Sequence, residues 1–226
     1  MLTGSERAVW YCLEGSAFAA IEITQLLCPE RIYDKLAFLP ALINFIILIY
    51  IYAVKRQPMP AGRDRLLLCG VALTAMADLF LCFIYSCGVG QWPMTVGFAI
   101  FSVCEILFGL WLGGRARWLI IRLATLAAME TALVLFNMAT VPNCIAMVNL
   151  SQLAVNTAQA WATGLKNKNR AGRLFTAGIT LFFGCDYSIL LLNFLPYGTT
   201  GYYAVMELVM VFYVPCLVLL AHSARE

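Results

Sequence analysis

An all-α fold, a polytopic bundle of about eight membrane-spanning helices, is what this chain predicts, and three observations predict it. Hydrophobic residues make up 62% of the 226 and charged residues only 12%, about half the charged share of a soluble domain. The apolar residues gather in runs long enough to cross a hydrocarbon core, which takes about 20 residues of helix. The connections between these runs are too short to hold a soluble domain, so 1–226 reads as a single integral membrane domain.

The spans fall at about 8–28, 36–54, 66–87, 92–113, 118–137, 142–163, 173–195 and 202–222. The first is interrupted by Glu14 and Glu22, which a signal-peptide core does not tolerate, and reads as a retained helix. Basic residues orient the rest. Lys55, Arg56, Arg63 and Arg65 lie between spans two and three, Arg115 and Arg117 between four and five, and Lys166, Lys168, Arg170 and Arg173 between six and seven. The alternate connections at 88–91, 138–141 and 196–201 carry no charge. By the positive-inside rule both termini are cytoplasmic, and the expected setting is a bacterial cytoplasmic membrane. Arg31 and Lys35, accompanied by Glu30 and Asp34, are the exception. The net charge of +3 is this topological signal, and no nucleic-acid partner is expected from it.

Two aspartates lie deep in this hydrophobic sequence: Asp78 in span three and Asp186 in span seven. An ionisable side chain in hydrocarbon is costly and marks a functional site by default. The two spans align. Gly70 and Gly178 each precede the aspartate by eight residues, Arg65 and Arg173 by thirteen, and Gly88 and Pro196 follow by ten. Helical rise then sets each aspartate about 20 Å from the cytoplasmic end and about 15 Å from the outer one. Both spans run from inside to outside, so the relation predicts a parallel four-plus-four repeat with its site between the halves.

Glu14, Glu22, Glu105, Glu130 and Glu207 also fall within spans. Counting rise from Pro93 and Arg117 brings Glu105 and Glu130 near the level of the aspartates, so four carboxyl groups are expected to converge. No cation is expected beside them, because Arg122 lies little more than a turn inside its span and can snorkel. Crowded carboxyl groups in a cavity cannot all ionise, and one acid beside one carboxylate makes a general acid and a general base. Glu14, Glu22, Glu130 and Glu207, taken singly, read as helix-bundle glue. Span six carries Asn143, Asn149, Ser151, Gln152, Asn156, Thr157 and Gln159, and is expected to line the same cavity.

Other chemistries are set aside. The one histidine, His222, ends the last span, so no metal site built on several histidines and no Ser-His-Asp or Cys-His mechanism is expected. Nucleotide-cradling glycine motifs are absent from the sequence, and the nine cysteines are scattered as small packing residues with no CxxC pair.

From about Pro40 to Ala221 the chain resembles the YhhN family of membrane proteins, which includes the lysoplasmalogenases. Thr74-Ala-Met-Ala77-Asp78 looks like that family's S-x-x-G-D, and Gly178-Ile-Thr-Leu-Phe182-Phe-Gly-Cys185-Asp186 like its G-x-x-x-F-x-x-S-D. Gly97-Phe-Ala-Ile-Phe101-Ser-Val-Cys-Glu105-Ile-Leu-Phe108 follows G-x-x-x-F-x-x-x-H-x-x-Y, and Phe212-Tyr213-Val-Pro215-Cys216 follows Y-Y-x-A-Q. Glu105 stands in place of the histidine, Phe108 of a tyrosine, Cys185 of a serine and Cys216 of the glutamine. The resemblance implies hydrolysis of the vinyl-ether bond of a lysophospholipid drawn from the surrounding membrane lipids, with no metal and no organic cofactor. Asp78 and Asp186 would be the catalytic pair, with Glu105, Tyr213, Asn149 and Glu130 binding or supporting. Which aspartate is acid, and whether the bond is vinyl ether, amide or ester, is open at this level. Buried carboxylates in a parallel repeat suit a proton-coupled transporter equally well, and a module without turnover is a third possibility.

Overall fold

Each helix begins and ends where its sequence changes chemistry. The computed structural model describes residues 3–27, 38–56, 59, 62–113, 116–164, 169–192 and 194–224. These form α1 (Gly4–Leu27), α2 (Leu39–Ile49), α3 (Asp64–Asp78), α4 (Trp92–Leu112), α5 (Ala116–Leu135), α6 (Val141–Gly164), α7 (Arg170–Leu192) and α8 (Thr200–Ser223). Pro40 and Pro93 occupy the first turns of α2 and α4, where a missing N–H costs nothing. Thr199 caps α8 by accepting from the Tyr202 N–H at 3.2 Å. Gly113, at φ 91°, turns the chain out of α4.

Two helices widen into π turns, α2 over Tyr50–Val54 and α3 over Leu79–Ile84. The second starts at the residue after Asp78. Such a turn shifts the helical register and recurs at functional sites.

The described residues are all-α. Five helices are long and apolar enough to cross a membrane: Asp64–Ile84, Trp92–Leu112, Ala116–Leu135, Arg170–Leu192 and Thr200–Ser223. The apolar helix Leu39–Val54 is shorter. The remaining two have the length but are interrupted, α1 by Glu14 and Glu22 and α6 by its run of amides and hydroxyls.

α7 packs along α8, and α3 along α4, with α6 against both α4 and α7. α5 leans chiefly on α6, and α1 on α2 and α8. Gly97 lets α4 close on α3, since a Cβ there would overlap the Leu81 side chain and stand 3.1 Å from the Ala77 carbonyl. The outward faces are apolar, with Leu119, Ile120, Leu123, Val134 and Leu135 of α5 all exposed. The interior, by contrast, holds Asp78, Glu105, Asn149, Ser151, Asn156 and Gln159, all buried. Apolar outside and polar within is the arrangement that lipid favours.

Candidate functional site

Asp78 ends the α-helical part of α3 and is 4% exposed, and its Oδ2 has no hydrogen-bond partner among the described residues. Asp186 sits midway along α7 and is half-buried. Its Oδ2 accepts from the Asn149 amide of α6 at 3.0 Å. The two aspartates interact electrostatically, as do Asp186 and Glu105. Three carboxyl groups from α3, α4 and α7 therefore share one interior region, and α6 supplies an amide to it.

Glu105, on α4, is fully buried. The Asn156 amide donates to its Oε2 at 2.6 Å and to its backbone carbonyl at 2.7 Å, while Oε1 has no partner among the described residues. Asn149 Oδ1 and the Tyr213 hydroxyl are likewise buried without partners. Cys216, on α8, lies within electrostatic reach of Asp186, Asp78 and Glu105. Tyr213 stands one turn before Cys216 on the same helix. Unpaired buried polar atoms from four helices are expensive unless water or a ligand satisfies them.

Glu130 is not part of this cluster. It meets Cys144 on α6, and Cys144 lies five residues, about 7.5 Å, before Asn149 along that helix. The expected convergence of four carboxyl groups is corrected to three. Rise counted along α5 alone could not reveal how α5 is shifted against α6. Glu22 hydrogen-bonds Glu207 across α1 and α8, in keeping with the bundle-glue reading, whereas Glu14 accepts from Trp10 of its own helix at 3.3 Å.

The second correction concerns Arg122. It does not snorkel away from the interior. Its Nη1 donates to Gln152 at 2.7 Å and its Nη2 to Asn156 at 2.5 Å and Gln159 at 3.0 Å. These three amides recur along one face of α6, so a helix that is too polar for lipid becomes a cradle for one guanidinium. Gly109 makes room, because a Cβ there would stand 2.7 Å from Arg122 Nη2 and 3.0 Å from Asn156 Oδ1. Asn156 therefore faces two ways, its oxygen toward Arg122 and its amide hydrogens toward Glu105. A cation does serve the acidic cluster, at one remove.

The structure also buries Cys104, Cys185 and Cys216 beside these acids, which their scattered spacing did not signal. Among the described residues no group of three or more His, Cys, Asp or Glu side chains is arranged to hold a metal ion. No protein-family model, curated protein or solved structure matches the chain.

Proposed function

We propose that this chain is a membrane-embedded lipid hydrolase of the lysoplasmalogenase kind, related to the YhhN family that its motifs resemble. The observation that carries the reading is the electrostatically interacting pair Asp78 and Asp186, set among unpartnered polar atoms inside a bundle with apolar outer faces. Asp78, buried with one oxygen unpaired, is the proton donor; Asp186, held as an acceptor by Asn149, is the ionised partner. Asp78 delivers its proton to the β carbon of the alkenyl ether, leaving an oxocarbenium centre at the carbon bonded to oxygen. Asp186 takes a proton from water as the water oxygen bonds to that centre. The hemiacetal then collapses: its hydroxyl proton passes to the departing glyceryl oxygen, a fatty aldehyde and a glycerophospho-headgroup separate, and Asp186 returns its proton to Asp78. Glu105, Tyr213 and Asn149 line the cavity and orient the water; Glu130, away from the cluster, supports the α5–α6 contact.

The same proposal extends to topology: eight spans, both termini cytoplasmic, and a parallel four-plus-four repeat. An ungapped offset of 108 residues relates not only Asp78 to Asp186 but Trp10 to Trp118, Glu22 to Glu130, Arg65 to Arg173 and Gly70 to Gly178. It also carries the end of α1 at Leu27 onto the end of α5 at Leu135, and the start of α4 at Trp92 onto the start of α8 at Thr200. This repeat favours one second reading, a proton-coupled carrier working between two halves. Full-length protein in detergent, given a lysoplasmalogen pool, is expected to release free aldehyde. Uptake into sealed vesicles without aldehyde would replace the hydrolase with the carrier.

A further inference from the structure

Beside the carboxyl cluster, on the lipid-facing side of the bundle, a crevice of about 480 Å³ opens between α4, α5 and α6. Ile106, Leu110, Leu119, Leu123 and Val148 form its walls, and Arg122 with Gln152 and Gln159 forms its polar end. No acidic side chain pairs directly with Arg122 among the described residues, and three of its five N–H groups are taken by amide oxygens. Two remain for an occupant. A guanidinium in hydrocarbon, cradled by neutral dipoles and facing an apolar slot, is complementary to an anion with a long apolar tail.

Depth selects the kind of anion. Arg122 lies six residues into α5, about 9 Å below its start, whereas the interfacial zone on each side of the hydrocarbon core is only about 5–7 Å thick. A phosphate with its glycerol belongs higher, near Arg117 and Arg63 in the polar cleft of about 780 Å³ that adjoins the crevice at Leu110, Trp118 and Gln159. A carboxylate, with its chain joined directly to the head, fits the level of Arg122. We infer that the α4–α5–α6 crevice binds a long-chain fatty acid, its carboxylate on Arg122 and its chain along Leu110, Leu119 and Leu123. The crevice is lined by neither aspartate, and Asn156, which contacts both Arg122 and Glu105, links it to the carboxyl cluster.

The test is equilibrium binding of labelled palmitate to the full-length protein in nanodiscs of neutral phospholipid. Saturable binding is expected, weakened about tenfold or more by Arg122→Gln, since a charge-assisted hydrogen bond is lost. Leu123→Trp, on the exposed face of α5 and away from the amide cradle, is expected to weaken binding by blocking the chain while leaving the fold intact. Hexadecanol should compete at least tenfold more weakly than palmitate. Equal competition by hexadecanol, stronger competition by a lysophosphatidate of the same chain length, or unchanged binding in both variants would overturn the inference. The readout is binding without turnover, so its failure is separate from that of the hydrolase reading.

Discussion

The Asp78–Asp186 cluster and the Arg122 cradle are both polar, both interior, and built from neighbouring helices, yet they handle hydrogen bonding in opposite ways. Around Arg122 every amide oxygen of Gln152, Asn156 and Gln159 meets a donor. Around the aspartates, Asp78 Oδ2, Glu105 Oε1, Asn149 Oδ1 and the Tyr213 hydroxyl meet none among the described residues. A network whose acceptors are all met, with two guanidinium N–H groups left over for an occupant, holds helices together and fixes side-chain positions. An incomplete one is tolerated where a reactant or water completes it, and there stability is given up for chemistry. Substitutions should therefore separate the two regions, activity falling in one and stability in the other.

The largest effect is expected at the aspartates. Asp78→Asn and Asp186→Asn retain size but cannot exchange a proton, so aldehyde release should fall about a hundredfold to ten-thousandfold. Thermal stability should stay level in both, or rise slightly for Asp78→Asn, because that side chain contributes no hydrogen bond through Oδ2. Near-normal turnover in either variant would make that aspartate packing glue.

Asn156→Leu should do the reverse. It strands Arg122 and Glu105 together, and removing one link from a buried charged network costs about 3 kcal/mol or more. A melt of the purified protein that shifts no more than that of Asp78→Asn would erase the distinction between the regions.

How much of this was legible in the sequence depended on whether the signal was local. Spans such as 92–113 and 202–222 came within a few residues of α4 and α8, because hydropathy and a helix-starting proline are properties of the segment itself. The aspartates stood out for the same reason: a charge inside an apolar run needs no partner to be noticed. Arg122 was misjudged because its direction depends on Gln152, Asn156 and Gln159, which lie 30 to 37 residues away in the chain. Asn149 and Asn156 were visible as polar residues on α6, but sequence alone could not say that one serves Asp186 and the other joins Arg122 to Glu105. The π turn beyond Asp78 left no mark, since its five-residue register is a backbone response to packing.

A smaller effect is expected at Glu105, which belongs to both regions. Glu105→Gln keeps an acceptor for Asn156 but removes the carboxyl group that interacts electrostatically with Arg122, and should cost about 1 kcal/mol of stability. Glu105→His, which restores the residue of the resembled motif, should maintain turnover if the chemistry is shared. Loss of aldehyde release in the histidine variant, with an unchanged melt, would show that this cavity has been refitted for a different substrate.

The smallest effect lies outside both regions and calibrates them. At the exposed end of α1, Glu6 is paired with Lys55 and also accepts from Tyr50 and Thr3, tying α1 to the end of α2. The ammonium of Lys55 and the Thr3 backbone amide hold the Glu6 carboxyl down to about 2 from an ordinary 4.5. A lowered folded value means that the contribution is present in full above 4.5 and disappears as pH falls through about 2. Exposure and salt screening keep it small. The melting temperature of the parent should therefore exceed that of Glu6→Gln slightly at neutral pH, and the gap should close on acidification and in high salt. A gap as wide as that of Asn156→Leu would mean that a screened surface pair matters as much as the buried amide, and the contrast between completed and incomplete interior networks would no longer explain where this bundle keeps its stability.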